Sequence, residues 1–181
     1  MPLELQPLVQ GRAPAVQDYL AAVNETRVSL ARWMPWCHAD YGRADVERWF
    51  AEADRMWNEQ SGFVFWLKEG TRLLGTVALH DIQRFGKREA ELGYWVRQSE
   101  RGRGVAATAI RSIAAFAFNE LKLIRVTMRI RVDNVSSRRA AERAGARFEG
   151  VLRHGLVHGD ARFDAILYSL LVDDLSVTWA P

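Results

Sequence analysis

The sequence predicts an α/β protein built on one mixed, mostly antiparallel sheet that is flanked by helices. Apolar and polar residues alternate five times from Ile124 to Asp133, which is the period of a strand with one buried face. Apolar residues at helical spacing occupy 104–121, directly before that strand. The strand, helix and strand from 89 to 132 therefore form a β-α-β crossover, which makes its two strands parallel.

The first half of the chain predicts two helices followed by three strands. Helical spacing covers 13–31 and 46–57, and Asp45 is the expected N-cap of the second helix. Strand patterns follow, with the turn Glu69-Gly70 after the first; they cover 63–68, 72–80 and 89–96. Short connections between consecutive strands predict an antiparallel meander.

The second half continues the alternation of helices and strands. Its predicted elements are a helix at 104–121, a strand at 124–132, a helix at 135–144 and strands at 148–157 and 162–171. Gly145 is expected to adopt the left-handed backbone conformation that ends the helix at 135–144. The order ααβββ-αβ-αββ places the crossover at the centre of the chain.

Composition restricts the class of protein. The chain has 181 residues, 49% of them hydrophobic, and a formal net charge of +3, which suits one folded domain over 1–181 and gives no indication of nucleic-acid binding. Its one cysteine, Cys37, argues against a disulfide framework and a cysteine-rich zinc module. The sequence contains neither an apolar run of about 18 residues nor an evident signal peptide, so we expect a cytoplasmic protein without a membrane partner.

The crossover contains a glycine-rich loop, Arg101-Gly102-Arg103-Gly104-Val105-Ala106, immediately before the helix at 104–121. Glycines allow close approach to a ligand, and unpaired N–H groups at a helix N-terminus attract anions. The loop therefore favours a phosphate or pyrophosphate site, although such a loop can also serve only to reverse the chain. A dinucleotide site fits less well, because five residues separate the glycines from the preceding strand.

The loop resembles R/Q-x-x-G-x-G/A, the acyl-CoA pyrophosphate loop of the GNAT superfamily of N-acyltransferases. Further matches to its RimJ/RimL branch, which acetylates ribosomal-protein N-termini, are Glu91-Leu92-Gly93-Tyr94-Trp95-Val96, Asn134-x-x-Ser137, Gly145 to Phe148, Glu149-Gly150 and Asp164-x-x-Leu167-Tyr168-Ser169-Leu170-Leu171. The resemblance implies a GNAT fold in which strand 89–96 splays from strand 124–132. It also implies an acyl-CoA-binding core at 89–145, acceptor-side helices at 13–60, and acetyl-CoA as co-substrate. No metal is expected, because the sequence suggests no third ligand beside His154 and His158.

By the same resemblance, backbone groups near Trp95, Val96 and Arg97 hold the acyl-pantetheine, and an N–H near Trp95 stabilises the oxyanion. The pyrophosphate would lie on the loop residues Arg101, Gly102, Arg103, Gly104, Val105 and Ala106. Asn134 would bind the pantetheine or a bridging water, and it can equally cap the helix that follows it.

The resemblance implies that Glu91 is the general base, acting through water, because it aligns with the strand glutamate that has this role in some relatives; it can also be an ordinary outward-facing carboxylate. The tyrosine that protonates the thiolate in many superfamily members is replaced here by Ala141. Ser137 occupies the place where the RimJ/RimL branch carries a serine, so the resemblance implies that it is the proton donor; alternatively, it is simply a residue of the first helical turn. Of Trp33 and Trp36, one is expected to line the acceptor pocket, whereas tryptophans more often lie in a core.

The resemblance therefore implies an acetyl-CoA-dependent N-acetyltransferase with direct transfer to a primary amine. By resemblance, the preferred acceptor is a protein N-terminal α-amine. A small amine such as a polyamine, an amino acid or an antibiotic is the alternative acceptor, and a CoA-binding module without turnover is the alternative from another class. The seven tryptophans also suggest a homodimer.

Overall fold

The computed structural model describes residues 3–9 and 14–175, which form a seven-stranded sheet with helices on both faces. The strands are β1 (Glu4–Pro7), β2 (Phe63–Glu69), β3 (Arg72–Gln83), β4 (Glu89–Val96), β5 (Arg125–Arg131), β6 (Arg147–His158) and β7 (Ala161–Leu171). The helices are α1 (Val16–Trp33), α2 (Arg43–Glu59), α3 (Val105–Asn119) and α4 (Val135–Arg143), and short 3-10 turns cover Gln98–Glu100 and Val172–Asp174. Within these described ranges, no helix has the length and apolar character needed to cross a membrane.

The strand order is β1-β2-β3-β4-β5-β7-β6, and β4 and β5 form its parallel pair. The meander β2-β3-β4 is antiparallel, as are the pairs that β7 makes with β5 and β6. The predicted mixed sheet with a central crossover is thus confirmed. The strand β1 was not predicted, because its four residues show no clear alternation; it forms by antiparallel pairing with β2.

The two faces of the sheet carry separate hydrophobic clusters. On one face, α3 packs against alternate strand residues such as Leu92 and Val126. On the other, α1 and α2 pack against the residues of opposite parity, such as Val64 and Trp95. Because successive strand residues point to opposite faces, Glu91 and Tyr94 also belong to different sides of β4.

Two helix ends illustrate how local chemistry sets the boundaries. The N-cap of α2 is Gly42, so the prediction of Asp45 as N-cap was wrong; Asp45 lies in the first turn and accepts a hydrogen bond of 2.9 Å from the Gly42 N–H. Gly145 follows α4 with φ +94°, as expected for a helix-ending glycine. The predicted start of α1 at residue 13 lies outside the described residues.

The parallel pairing is short. Only Glu89, Ala90 and Glu91 of β4 pair with β5, although β4 continues to Val96. The far ends of the two strands are therefore unpaired with each other, and they flank a gap that leads to the first turns of α3 and α4.

Candidate active site

A cavity of about 510 Å³ lies at this gap, between the end of β4, the first turns of α3 and α4, and the end of α1. Most of the residues predicted to form the site line it. They are Trp33, Trp95, Val96, Arg101, Gly102, Gly104, Val105, Ala106, Asn134 and Ser137. Glu91, Arg97, Arg103 and Trp36 lie outside this lining.

The glycine loop has the backbone conformation of an anion site. Gly102 and Gly104 have φ of +78° and +83°, and among the described residues, chain neighbours apart, no atom lies within 4 Å of a Cβ built at either residue. Gly104 is the N-cap of α3 and offers no side-chain oxygen to the first turn. The first N–H groups of a helix have no partner within it, so here they remain available to a ligand in the cavity.

The two arginines of the loop differ in their partners. Arg103 pairs with Glu69 at 3.1 Å and also with Glu100, so its charge is compensated. Arg101 donates instead to neutral oxygens, those of Ser29 at 3.0 Å and Val96 at 3.3 Å. Within the part of the chain that the structure describes, Arg101 forms no ion pair, so its charge is available to an anionic ligand.

Two further arginines were missed by the sequence analysis. Arg139 and Arg143 project from α4 into the cavity lining, one helical turn apart. Their i, i+4 spacing was the available signal. The acids of the lining are compensated, because Glu100 pairs with Arg72 and Arg103 and Asp133 pairs with Arg32 and Arg131. The cavity therefore has an excess of positive charge.

Asn134 and Ser137 lie together at the start of α4. The Asn134 side chain accepts a hydrogen bond of 3.2 Å from the Ser137 N–H, so Asn134 is the N-cap of α4. The Ser137 hydroxyl lies 2.8 Å from the Tyr94 hydroxyl, across the gap from β4. Tyr94 lines the cavity and was given no role by the sequence analysis, because its proximity to Ser137 depends on the sheet.

Glu91 forms an ion pair with Arg129 of β5, with Nε and Nη2 at 2.7 and 2.5 Å from Glu91 Oε2. Its carboxylate also lies near His80 and Asp81, and the potential ligand atoms of the three residues are within 4.8 Å of one another. The guanidinium beside Glu91 makes this group a poor cation site, because it already supplies positive charge there. Both arginine contacts fall on Oε2.

The remaining predicted residues occupy distinct environments. Trp33 lines the cavity and stacks against the guanidinium of Arg131, whose carbon is 4.9 Å from the ring centroid. Trp36 packs beside Trp95, with ring centroids 6.5 Å apart. The side chain of Arg97 pairs with Glu25 at 2.5 Å and does not line the cavity.

Comparison with known proteins agrees with this geometry. The family model described as an acetyltransferase (GNAT) domain matches residues 3–147. YdaF of Bacillus subtilis strain 168, provisionally named a ribosomal N-acetyltransferase, is 38% identical over 55% of this chain and 54% of its own. The ribosomal-protein-serine acetyltransferase of Escherichia coli K12 is 30% identical over 61% of each chain. The chain thus matches little more than half the length of these relatives.

Solved structures show the same fold. The α-N-protein acetyltransferase RimL, in complex with coenzyme A, superposes with a TM-score of 0.85 over 95% of both chains at 17% identity. The family match covers most of this chain, including the glycine loop, both strands of the gap and α4. The chain therefore belongs to the GNAT acetyltransferase domain family.

Proposed function

We propose that this chain is an acetyl-CoA-dependent N-acetyltransferase that transfers the acetyl group directly to the N-terminal α-amine of a protein. The observation that carries this proposal is the cavity at the unpaired ends of β4 and β5, into which the uncapped N-terminus of α3 opens. A cavity with an anion site at one end and exposed strand backbone at the other suits a long thioester with a phosphorylated end.

The residues present fit CoA. The pyrophosphate would bind to the first N–H groups of α3, with the uncompensated Arg101 beside it. Arg139 and Arg143 add two cations on the facing helix, where they suit further phosphate. The pantetheine arm would lie along the unpaired end of β4 and use its free backbone groups.

The oxyanion donor can be assigned more closely from strand geometry. The Arg97 N–H donates to Leu74 O of β3 at 2.7 Å. Backbone N–H groups alternate in direction along a strand, so the Trp95 N–H also points to β3, whereas the Val96 N–H points into the gap. We therefore assign the Val96 amide as the donor that stabilises the developing oxyanion.

Three side chains complete the proposed mechanism. Glu91 takes the amine proton through a water at Oε1, because Arg129 contacts only Oε2 in the described structure. Ser137 donates a hydrogen bond to the departing CoA thiolate from the cavity wall. Trp33 stands on the acceptor side at the end of α1, where its ring restricts which amines can approach.

The choice of a protein α-amine as acceptor is supported by the names of similar proteins. The Escherichia coli relative is named a ribosomal-protein-serine acetyltransferase, YdaF is provisionally named a ribosomal N-acetyltransferase, and RimL is named an α-N-protein acetyltransferase. An acetylation screen tests it: purified protein, acetyl-CoA and a panel of ribosomal-protein N-terminal peptides, polyamines, amino acids and aminoglycosides, with detection of released thiol. We expect turnover with peptides that carry a free α-amine and none with the same peptides blocked at the N-terminus. Turnover of small amines alone would refute the assignment of a protein N-terminus as acceptor, and CoA binding without turnover of any amine would indicate a binding module.

A further inference from the structure

The Tyr94 hydroxyl makes two contacts with one residue. It lies 2.8 Å from Ser137 Oγ and 3.1 Å from the Ser137 carbonyl oxygen. Tyr94 comes from β4 and Ser137 from the first turn of α4, and both line the cavity. The contact therefore joins the two walls of the cavity at the side chain proposed to face the thiolate.

A count of hydrogen atoms shows what this contact controls. A phenol and a serine hydroxyl each carry one proton. If Tyr94 donates to the Ser137 carbonyl, the Ser137 hydroxyl can donate back to Tyr94 Oη, and its proton points away from the cavity. If Tyr94 donates to Ser137 Oγ instead, the serine proton is free to point into the cavity. The two arrangements share the same positions of the heavier atoms.

We propose that Tyr94 is a positioning residue that donates to Ser137 Oγ and so directs the serine proton to the sulfur of the departing CoA. This inference rests on the proposed function and adds a residue to it. A negative charge on the sulfur favours the second arrangement, because the serine hydroxyl then donates to the thiolate while it accepts from Tyr94.

Tyr94 orients the serine without giving up its own proton. Burial raises the pKa of Tyr94 to about 12, whereas a free thiol has a pKa of about 8.5. Transfer of the phenol proton to a thiolate would be unfavourable by about 3.5 pKa units, or roughly 3,000-fold. The hydrogen bonds stabilise the thiolate, and its proton then comes from solvent.

The test measures binding of the product and requires no acceptor. The affinities of CoA and of desulfo-CoA, which lacks the thiol, are measured by calorimetry at pH 6.5 and pH 9.5. A hydrogen bond to the thiolate lowers the pKa of the bound thiol by about one unit. In the wild type, the preference for CoA over desulfo-CoA should therefore rise about 10-fold between the two pH values.

Other charged groups do not obscure this ratio. Those that line the cavity are Arg32 of α1, Glu100 and Arg101 of the loop, Asp133 after β5, and Arg139 and Arg143 of α4. CoA and desulfo-CoA experience these charges equally, so their effects cancel in the ratio of the two affinities.

The variants distinguish orientation of the Ser137 hydroxyl by Tyr94 from a purely structural contact between Tyr94 and α4. Tyr94→Phe should reduce the 10-fold rise to less than about 3-fold, and Ser137→Ala should abolish it, alone or combined with Tyr94→Phe. Tyr168→Phe is the matched control, because Tyr168 also donates to a residue of α4, Glu142 at 2.7 Å, but lies outside the cavity lining. It should keep the wild-type rise.

A wild-type rise in Tyr94→Phe would overturn the role of Tyr94, and so would a flat ratio in the wild type. Failure of wild-type protein to bind either ligand would instead refute the proposed function itself. If Tyr94→Phe does not fold, 3-fluorotyrosine at position 94 supplies a stronger donor of nearly the same shape; an unchanged ratio with it would also overturn the proposal. As a kinetic check, Tyr94→Phe should lower kcat about 10-fold with KM for acetyl-CoA unchanged, since the thioester carries no thiolate.

Discussion

The substitution Gly104→Val tests the loop at the residue where α3 begins. Gly104 has φ +83°, a conformation that β-branched residues adopt only at a cost of roughly 1–3 kcal/mol. For a chain of this size, each kcal/mol corresponds to about 2–4 °C in Tm. Apart from its chain neighbours, none of the residues that the structure describes has an atom within 4 Å of the added Cβ, so they accommodate it without a clash.

In free energy, the expected loss of CoA affinity is comparable to the loss of stability. Each hydrogen bond from a backbone amide to a charged phosphate is worth about 1.5–3 kcal/mol, so loss of one weakens binding by roughly 10- to 150-fold. Calorimetric titration with CoA measures this loss. Gly86→Val is the matched control, because Gly86 has φ +71°, an equally open Cβ position and no place in the cavity lining. If Gly104→Val binds CoA as tightly as Gly86→Val, the loop glycine serves only to turn the chain.

Three further predictions concern charge. Glu91→Gln should lower kcat/KM with a peptide acceptor most at pH 6 and least at pH 9, because neutral amine then forms without a base; a constant deficit or none across this range would exclude Glu91 as the base. Arg101→Ala should weaken CoA binding about 10-fold or more and Arg103→Ala by much less, since the charge of Arg103 is already compensated; equal losses by titration would contradict this. Hydrogen bonding to Ser99 and the Arg97 guanidinium lower the pKa of Glu25 from 4.5 to about 2, so its contribution to stability is present above pH 4.5 and is lost as the pH falls towards 2. Urea unfolding of Glu25→Gln should therefore show a smaller loss of stability over that interval, and an unchanged loss would show that the Glu25 contacts do not stabilise the fold.

The elements that the sequence predicted well are those whose pattern is local. The alternation in β5 and the apolar face of α3 each lie within one segment, and the structure contains both. β1 has only four residues and no hydrophobic pattern of its own. Its extended conformation depends on antiparallel pairing with β2. Asp45 was assigned as N-cap because Asp suits that position, but Gly42 begins the helix and Asp45 caps it from within the first turn.

The contacts of the site depend on distances that the sequence does not show. Glu91 and Arg129 are 38 residues apart, and the parallel pairing of β4 with β5 brings them together. Tyr94 and Ser137 meet for a similar reason, across the gap rather than along a strand. The sequence also does not distinguish Arg101 from Arg103, which both precede a glycine in the same loop. Only the positions of Glu69 and Glu100 in the fold show that the charge of Arg103 is compensated.

The brevity of the β4–β5 ladder also has a consequence for the cohesion of the molecule. Three residue pairs connect β1–β4 to β5–β7 within the sheet, and the last residues of β4 have backbone groups without strand partners on that side. A ligand that hydrogen-bonds to these groups would take the place of the missing strand pairs and contact both parts of the sheet. Slower hydrogen exchange of the Val96 amide would then accompany binding, because the bound ligand would accept the hydrogen bond that a neighbouring strand accepts elsewhere in the sheet.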